Sequence, residues 1–566
     1  MDSIFFELSA IIITSTAFAL VARLLKQPII LAFILAGILL GPVGLNILQS
    51  TELIDVLANF GIALMLYVVG IELDWRKFKE LDRATFLVGF GQVVFTGAAG
   101  WLAAWLLGFS TSESWFFALT LTFSSTIVIV KLLSEKRQLE SLYGRITMSI
   151  LLLQDFLAII ALLVLESIGS SQGGGIPWTE LGGMAIKAVA LSALAYLLAR
   201  FVFRKIFIFV GKSQELLFLW SIAWCILFAA LAELIHFPVA ISVYFAGLAI
   251  GSMDYNFEIS ARIRSLRDFF IVIFFAYLGS QLILTLPSHL LFSAGVLALF
   301  VVIGNPIIVY LILRLLGHQE RTALFTGLTM GQISEFSFIL ANVGFGLGLI
   351  NQNIVSMIAV IGLISMVLST YAITYNEKLY RLLSPLLKLL PLPSPQKRLS
   401  DTLPADLANH IVVFGYYPTI NKVLHQLKSE HEAIVVVDYN PDNIPAIKAQ
   451  GAHYIYGDMR DEDILAEAKI QQAKMIISIV PYPESNLSLL QYVQHFHIKA
   501  DTVVIARHLD DIKKFYHAGA TYVLNPESIS LEYLQGILSP KELIRASHVH
   551  QKEILGLLEN QYRHML

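Results

Sequence analysis

The stretch ALTLTFSSTIVIVKLL, residues 118–133, decides the fold, because it places hydroxyl side chains inside the apolar run 114–133. The hydroxyls are concentrated at Thr120, Thr122 and Ser124–Thr126. Hydroxyls and freed main-chain carbonyls are what an interrupted membrane helix offers a cation, and the half-helix dipoles compensate charge there. The pattern therefore predicts a broken helix at an ion site, with ordinary Ser/Thr packing between helices as the alternative.

The rest of the chain places this segment in a membrane domain with many crossings. Of the 566 residues, 56% are hydrophobic and only 14% are charged, whereas soluble domains carry about 25% charged residues. The apolar excess lies in residues 1–376, and residues 400–566 have the composition of a soluble domain. Runs of about twenty apolar residues suit membrane helices. The sequence predicts thirteen, at 3–22, 28–44, 53–72, 84–108, 114–133, 144–168, 183–209, 214–236, 238–252, 267–285, 290–316, 321–345 and 353–376.

Charges alternate between the connections that join these runs. Lys and Arg occupy one set of connections and are absent from the alternate set, 44–52, 109–113, 169–182, 286–290 and 346–352. By the positive-inside rule, the N-terminus lies outside and the soluble domain lies in the cytoplasm. The N-terminal stretch MDSIFFELSA lacks a basic region and a cleavage site, so it is predicted to be a membrane helix rather than a removed signal.

Two pairs of short matches indicate an internal repeat. ILAGILLG (34–41) aligns with YFAGLAIG (244–251), and at the same spacing TFSST (122–126) aligns with QISEF (332–336). The members of each pair lie seven predicted helices apart. Because seven is odd, the two halves must be inverted in the membrane, as in many secondary transporters. An ordinary helical bundle without a repeat is the alternative.

Asp155, in LLLQDFLAII, and Glu335, in GQISEFSFIL, are the acids predicted to lie deepest in the membrane. Such residues are expected to be functional. One carboxylate beside hydroxyls suits a monovalent cation, since a divalent site gathers more carboxylates. A carboxyl that binds a proton or a cation by turns can support exchange. The predicted site is K⁺ or Na⁺ at Asp155, with Glu335 orienting the crossing and the remaining ligands supplied by Gln154, Ser124, Ser125 and Thr126.

The membrane part resembles the monovalent cation:proton antiporter-2 family. The matching stretches are QPIILAFILAGILLGP (27–42), LYVVGIELD (66–74), TFSSTIVIVKLLSEK (122–136), GRITMSILLLQDFLAI (144–159) and GQISEFSFIL (331–340). The resemblance implies a Na⁺/H⁺ antiporter-like fold: a polytopic α-helical membrane protein of thirteen helices, with inverted repeats and two crossed broken helices. It also implies a homodimer that works as an elevator, with the site aspartate at Asp155. The Gln154–Asp155 pair resembles the potassium-exchanging, Kef-type branch.

Two positions depart from that family. Asn305, in VVIGNPIIVYL, stands where members often carry a lysine that pairs with the site acids, which favours electroneutral exchange. The stretch GSMDYNFEISARIRSLRD (251–268) carries three arginines where Kef-type proteins have an acidic regulatory loop, which argues against glutathione gating.

Residues 410–535 are predicted to form a Rossmann-like α/β domain in the cytosol. Apolar strand-like stretches such as HIVVFG and EAIVVVDYN alternate with helical ones, which is typical of a parallel doubly wound sheet. With AQGAHYIYGDMRDEDIL and AGATYVLNPE, they resemble an RCK-type (KTN) regulatory domain. Residues 377–409 are predicted to be a cytosolic linker, and residues 536–566 a helical extension.

The resemblance implies an adenine-nucleotide site, mapped to Gly415, Tyr416, Asp438, Asp458 and Arg507. The phosphate turn reads GYYPTI, which lacks the later glycines that let backbone approach a pyrophosphate. NAD binding is therefore not expected. Two alternatives stay open: regulation by a mononucleotide such as AMP, or a purely structural dimerisation lobe.

These observations predict an antiporter in a bacterial inner membrane that exchanges K⁺, or alternatively Na⁺, for protons. A cation channel or channel-like efflux system gated by its cytosolic domain is the other reading, although a filter sequence such as TVGYG is missing from the chain. Neither an enzymatic activity nor a required cofactor is expected. The expected partners are the transported ions, membrane lipid and a second copy of the chain, and nucleic acid is not among them.

Overall fold

The structure is a computed structural model that describes residues 4–48, 51–72, 83–136, 138–139, 141–169, 178–203, 206, 213–251, 253, 256–282, 286–387, 400–417, 420–429, 433–440 and 443–537. The chain divides into two compact units, one formed by Met1–Leu313 with Thr322–Pro391 and the other by Arg314–Arg321 with Leu392–Leu566. Part of the predicted linker (388–399) and nearly all of the predicted helical extension (538–566) lie outside the described residues.

The first unit is entirely helical in its described parts. Its helices are α1 Ile4–Leu24, α2 Ile29–Leu40, α3 Thr51–Glu72, α4 Arg83–Leu106, α5 Thr111–Thr120, α6 Thr126–Glu135, α7 Leu142–Gly169, α8 Trp178–Leu198, α9 Gln214–Leu234, α10 Val239–Gly251, α11 Asn256–Ser280, α12 Ser288–Leu299, α13 Asn305–Leu315, α14 Glu320–Thr329, α15 Glu335–Gly346, α16 Gln352–Thr374 and α17 Asn376–Leu387. A π-helical turn, Phe300–Gly304, joins α12 to α13.

Eight helical stretches of the described residues are long and apolar enough to cross a membrane, and two shorter apolar helices, α2 and α10, accompany them. The predicted number of thirteen crossings is therefore not reproduced by length and composition alone. The difference comes from the short helices α2 and α10, from two interrupted pairs, and from α11, which is 25 residues long but carries several charges. Helices α5 and α6, like α14 and α15, are each too short to span a bilayer alone, since about twenty residues are needed.

Glycines on the two repeat-related helices allow very close helix packing. A Cβ on Gly37 of α2 would lie 1.9 Å from the Ala276 carbonyl oxygen on α11. A Cβ on Gly247 of α10 would lie 2.1 Å from the Tyr67 carbonyl oxygen on α3. Small residues let helix backbones approach in membranes. The Ala-Gly pairs that the two stretches share therefore form two equivalent helix crossings.

The second unit contains a six-stranded parallel sheet in the order β3-β2-β1-β4-β5-β6. Strands β1 and β2 are buried Val/Ile runs, as expected when helices cover both faces of a parallel sheet. The order reverses between β1 and β4, which is the doubly wound topology. In chain order the elements are β1 Ile411–Phe414, α18 Asn421–Ser429, β2 Ile434–Asp438, α19 Ile444–Ala449, β3 His453–Tyr456, α20 Glu462–Glu467, β4 Met475–Ser478, α21 Pro483–His495, β5 Asp501–Ile505, α22 Leu509–His517, β6 Tyr522–Leu524 and α23 Pro526–Ile537.

Candidate ion-binding site

Two membrane helices are interrupted where the sequence carries its polar clusters. One break separates α5, which ends at Thr120, from α6, which begins at Thr126. The other separates α14 from α15, which begins at Glu335. Serines cap both second halves: the Ser125 hydroxyl accepts from Val128 N at 3.3 Å, and the Ser334 hydroxyl accepts from Phe336 N at 3.2 Å. Each break therefore presents the positive end of a half-helix.

The two breaks contact each other directly. The Ser124 hydroxyl donates to the Met330 carbonyl at 3.3 Å, and the Ser337 hydroxyl donates to the Thr120 carbonyl at 2.6 Å. These residues are 206 and 217 positions apart in the chain. The two segments that were aligned in the sequence thus meet in one polar cluster.

Asp155 lies on α7 and is bound to the beginning of α6. Thr126 Oγ1 donates to Asp155 Oδ2 at 3.0 Å, and Thr126 is the first residue of α6. The Asp155 side chain is partly exposed, whereas its neighbour Gln154 is fully buried. The carboxylate therefore has a hydroxyl partner and lies at the positive end of a half-helix, which stabilises its ionised form, the form that can bind a cation.

Glu335 is the first residue of α15 and has an exposed fraction of only 2%. The Ser334 hydroxyl donates to Glu335 Oε2 at 3.4 Å. The acid that begins α15 is therefore held by the serine that caps the same half-helix.

Freed main-chain groups of the α5–α6 break have side-chain partners from other helices. The Leu121 carbonyl accepts from Asn305 Nδ2 at 3.0 Å, the Thr122 carbonyl accepts from Gln92 Nε2 at 3.0 Å, and Ser124 N donates to Gln154 Oε1 at 2.9 Å. The sequence predicted that freed carbonyls would face a cation. Here protein donors occupy them. Ser124 and Ser125 are themselves fully buried, and Thr126 and Asp155 are partly exposed.

Gln154 was predicted to be a cation ligand, but both ends of its amide are bonded to other protein groups. Its oxygen accepts from Ser124 N, and its nitrogen donates to Gln92 Oε1 at 2.6 Å. Sequence reasoning missed Gln92, although a glutamine within the apolar stretch FLVGFGQVVFTG of α4 was a visible signal. It also missed the buried Tyr244 hydroxyl on α10, which has no hydrogen-bond partner among the described residues.

Comparison with known proteins gives the same assignment as this geometry. A family profile described as "Sodium/hydrogen exchanger, transmembrane" matches residues 10–375, which is more than half of the chain. The chain belongs to this exchanger family. Another profile, the TrkA-N domain, matches residues 411–526. The prediction of a transporter rather than an enzyme is therefore confirmed.

Several relatives of this exchanger are similar over most of their length. The putative K⁺ efflux antiporter KefB of Alkalimonas amylolytica is 25% identical over 539 residues, 94% of this chain and 80% of that protein. The glutathione-regulated potassium-efflux system protein KefC of Enterobacter sp. (strain 638) is 27% identical, over 89% of this chain and 79% of that protein. The putative cation/proton antiporter YbaL of Escherichia coli K12 is 24% identical, over 90% and 92%.

The membrane unit of the exchanger is also similar to a solved structure. The sodium proton antiporter MjNhaP1 from Methanocaldococcus jannaschii superposes with a TM-score of 0.51 at 18% identity. The match covers 69% of this chain and 98% of that one. At this identity the likeness establishes the fold alone. The exchanger therefore combines an NhaP1-like membrane fold with a Rossmann-like TrkA-N domain.

In the TrkA-N domain of the exchanger, the predicted ribose-binding acid already has protein partners. Asp438 Oδ2 accepts from Tyr416 N at 2.7 Å, and Asp438 Oδ1 accepts from Asn440 N at 2.6 Å and from Asn443 Nδ2 at 3.3 Å. Gly415 has a positive φ of 85°, which permits the sharp turn after β1. Both oxygens of the Asp438 carboxylate therefore already accept hydrogen bonds from the protein at the position where a ribose was predicted to bind.

The remaining predicted nucleotide residues lie in similar internal contacts or on the surface. Tyr416 is buried, and its hydroxyl donates to Asn421 Oδ1 at 2.7 Å. Asp458 is bonded to Arg460, at 3.0 Å and 2.6 Å from the two guanidinium nitrogens. Arg507 is exposed. Pro418 of the phosphate turn lies outside the described residues. The turn after β1 therefore has few backbone N–H groups that a pyrophosphate could approach, because Tyr417 and Ile420 replace the later glycines of the fingerprint.

Asp458 and Asp461 of the same domain are both buried, but their carboxyls are perturbed in opposite directions. Burial tends to raise the pKa of Asp458, but the Arg460 cation lowers it below its ordinary value of 3.8. Burial raises the pKa of Asp461 above its ordinary value of 3.8. The folded chain thus favours the protonated form of Asp461. As the pH rises above 3.8, this carboxyl ionises more readily in the unfolded chain than in the folded chain, so the free energy of unfolding falls.

Replacing Asp461 with asparagine is therefore expected to change the pH dependence of stability. The unfolding temperature of Asp461→Asn, relative to the wild type, should rise between about pH 4 and pH 8, because the variant no longer ionises a buried carboxyl. Thermal unfolding of the full chain in detergent measures this difference. Asp510→Asn, an exposed position on α22, is the matched control. A difference for Asp461→Asn that is independent of pH would contradict the prediction.

Proposed function

We propose that this exchanger is an antiporter that moves K⁺, and Na⁺ less well, in exchange for protons at Asp155. The observation that carries the proposal is the bond from Thr126 Oγ1 to Asp155 Oδ2, which joins an accessible carboxylate to the first residue of a half-helix. The two relatives named for K⁺ efflux support K⁺ as the preferred cation. The family membership favours an antiporter over a gated channel.

Exchange follows from competition at one carboxyl. A bare carboxylate is costly at membrane depth, so Asp155 carries either a proton or a cation as the site moves between the two faces. The hydroxyl oxygens of Ser124, Ser125 and Thr126 bind the cation when the proton leaves, and the positive end of α6 stabilises the ionised Asp155 carboxylate. In this proposal Gln154 supports the break rather than binding the cation, and Glu335 orients the crossing. With Asn305 neutral, one carboxyl changes charge per cycle.

The proposal includes a topology of thirteen crossings. Counting α5–α6, α12–α13 and α14–α15 as one crossing each gives this number from the helices of residues 1–376. Inverted repeats are supported by the equivalent glycine contacts of Gly37 and Gly247. The charge alternation places the N-terminus outside and the C-terminal domain in the cytoplasm of a bacterial inner membrane. A homodimer, with the cytosolic linker 377–409 and the helical extension 536–566, completes the proposed architecture.

We assign the TrkA-N domain, residues 410–535, a regulatory role without a required cofactor. The internal bonds of Asp438 and the side chains in the phosphate turn argue against a dinucleotide. AMP held by its ribose and base remains the alternative to a structural lobe. Its contacts would come from Asp438, Asp458 and Arg507.

We expect NAD⁺ and NADH to leave the unfolding temperature of the full chain unchanged, because a ligand stabilises only when it binds the folded state. A thermal-shift assay in detergent with NAD⁺, NADH and AMP tests this. A rise with AMP that Asp438→Asn removes would assign a mononucleotide site, and the same temperature with all three would leave a structural lobe. A rise with NADH would overturn the argument from the phosphate turn.

The exchange itself is tested in liposomes that contain the purified protein and a pH-sensitive dye. After a proton gradient is imposed, K⁺ and then Na⁺ are added outside at increasing concentration. The proposal expects proton efflux with both cations and half-maximal efflux at a lower concentration of K⁺. Cation flux without counter-movement of protons would indicate a channel and would contradict the proposed exchange.

A further inference from the structure

Gln92 on α4 is a fully buried amide that the exchange scheme above does not use. Its exposed fraction is 0%, and it lies within an apolar helix. Its nitrogen donates to the Thr122 carbonyl at 3.0 Å and to Thr96 Oγ1 at 3.2 Å. Its oxygen accepts from Gln154 Nε2 at 2.6 Å. One side chain of α4 thus connects the α5–α6 break with the helix that carries Asp155.

The two glutamines form a directed chain between two main-chain groups of the break. Ser124 N can only donate, which fixes the Gln154 oxygen toward it and turns the Gln154 nitrogen toward Gln92. The Thr122 carbonyl can only accept, which fixes the Gln92 nitrogen toward it. Either amide, if turned around, would place like groups against each other. The chain therefore has one arrangement, and each end ties a group that the interruption left without a helical partner.

The consequence reaches the ion site through neighbouring residues. Gln154 and Asp155 are adjacent on α7, and they bind Ser124 N and Thr126 Oγ1, two points on either side of Ser125. The geometry points to Gln92 as a positioning residue for the cation. Gln92 fixes the Gln154 amide, and Gln154 fixes the main chain of the break at Ser124. The position of the break in turn sets the distance between Asp155 and the hydroxyls. This inference rests on the proposed exchange at Asp155 and adds a determinant of cation affinity to it.

The test begins with Gln92→Met, which keeps the length of the side chain and removes its hydrogen bonds. Loss of one neutral hydrogen bond is worth about tenfold in an equilibrium constant, so the apparent KM for K⁺ should rise about tenfold, with a smaller change in maximal rate. The matched control is Gln138→Met, which removes a buried glutamine bonded to Tyr143. The control should keep the wild-type KM. An unchanged KM in folded Gln92→Met would overturn the inference.

A second variant gives a readout that simple destabilisation would not produce. In Gln92→Glu, the introduced carboxyl can accept from Gln154 Nε2 in either form but can donate to the Thr122 carbonyl only when protonated. The ratio of its KM to the wild-type KM, measured at each pH, should therefore be near one at acidic pH and rise toward tenfold at alkaline pH. A ratio that does not depend on pH would contradict a positioning role.

Failure of this inference is distinguishable from failure of the proposed function. If wild-type liposomes exchange K⁺ for protons while both Gln92 variants match the Gln138→Met control, the exchange stands and the inference falls. If the wild type shows no cation-dependent proton movement, the proposed function falls first. Unfolding temperatures of all variants in detergent identify any that are not folded. Gln92→Glu at acidic pH should restore the wild-type KM that Gln92→Met loses, because the protonated carboxyl can again donate to the Thr122 carbonyl.

Discussion

Replacing Asp155 with asparagine is expected to lower K⁺-dependent proton exchange by about 100-fold or more, the range over which a positioned proton-carrying side chain matters. The asparagine oxygen can still accept from Thr126 Oγ1, which at Asp155 lies 3.0 Å from the carboxylate. The bond that ties α7 to α6 is therefore kept, and only the ability to ionise is lost. A neutral amide can neither release a proton nor balance the charge of a cation. Both half-reactions of the exchange should stop together.

Dye-loaded liposomes with equal amounts of wild type and variant measure this loss, and the unfolding temperature in detergent checks the fold. Glu166→Gln is the matched control, because it makes the same change from acid to amide further along α7. The control is expected to keep wild-type exchange. Retention of full exchange by folded Asp155→Asn would remove Asp155 from the mechanism, whatever the family of the chain.

The position of the broken helix could be predicted from the sequence, but its internal bonding could not. Hydroxyls clustered at Ser124–Thr126 inside an apolar run are a local signal, and the break lies at Leu121–Ser125. The partners of the freed groups come from α4, α7 and α13, which are remote in sequence. Gln92 and Gln154 are 62 positions apart. A single sequence carries the polarity of each side chain and not the pairing, so Gln154 was expected among the ligands.

The TrkA-N domain divides in the same way between local and long-range information. The strands and their parallel order followed from apolar runs that alternate with helices, and the degenerate turn at Gly415 was visible as side chains where glycines are needed. The sequence did not reveal that Asp438 is bonded to Tyr416 N and to Asn440 N. Those bonds depend on the fold of the turn after β1, because the Tyr416 amide is brought to β2 only when both strands pair.

The repeat-related glycines give the second large expected effect, on stability. Gly247→Ala would place a Cβ 2.1 Å from the Tyr67 carbonyl oxygen and 3.1 Å from Ile71 N. Both atoms belong to the backbone of α3, so no side chain can move aside to relieve the clash. On the other side of the same crossing, a Cβ on Gly70 would lie 2.3 Å from the Tyr244 carbonyl oxygen. The two helices must therefore separate, and their other contacts are lost with them.

We expect Gly247→Ala to destabilise the exchanger by roughly 3 kcal/mol, at the upper end for overpacking a well-packed interface. Gly295→Ala on α12 is the matched control, since a Cβ there meets nothing within 4 Å and alanine favours a helix. Thermal unfolding in detergent should show a lower midpoint for the first variant and an equal or higher midpoint for the second. Equal midpoints for Gly247→Ala and the wild type would mean that α3 and α10 do not pack at this distance. Since Gly37 meets the Ala276 carbonyl oxygen in the same way, Gly37→Ala should reproduce the loss if the two halves share one packing design.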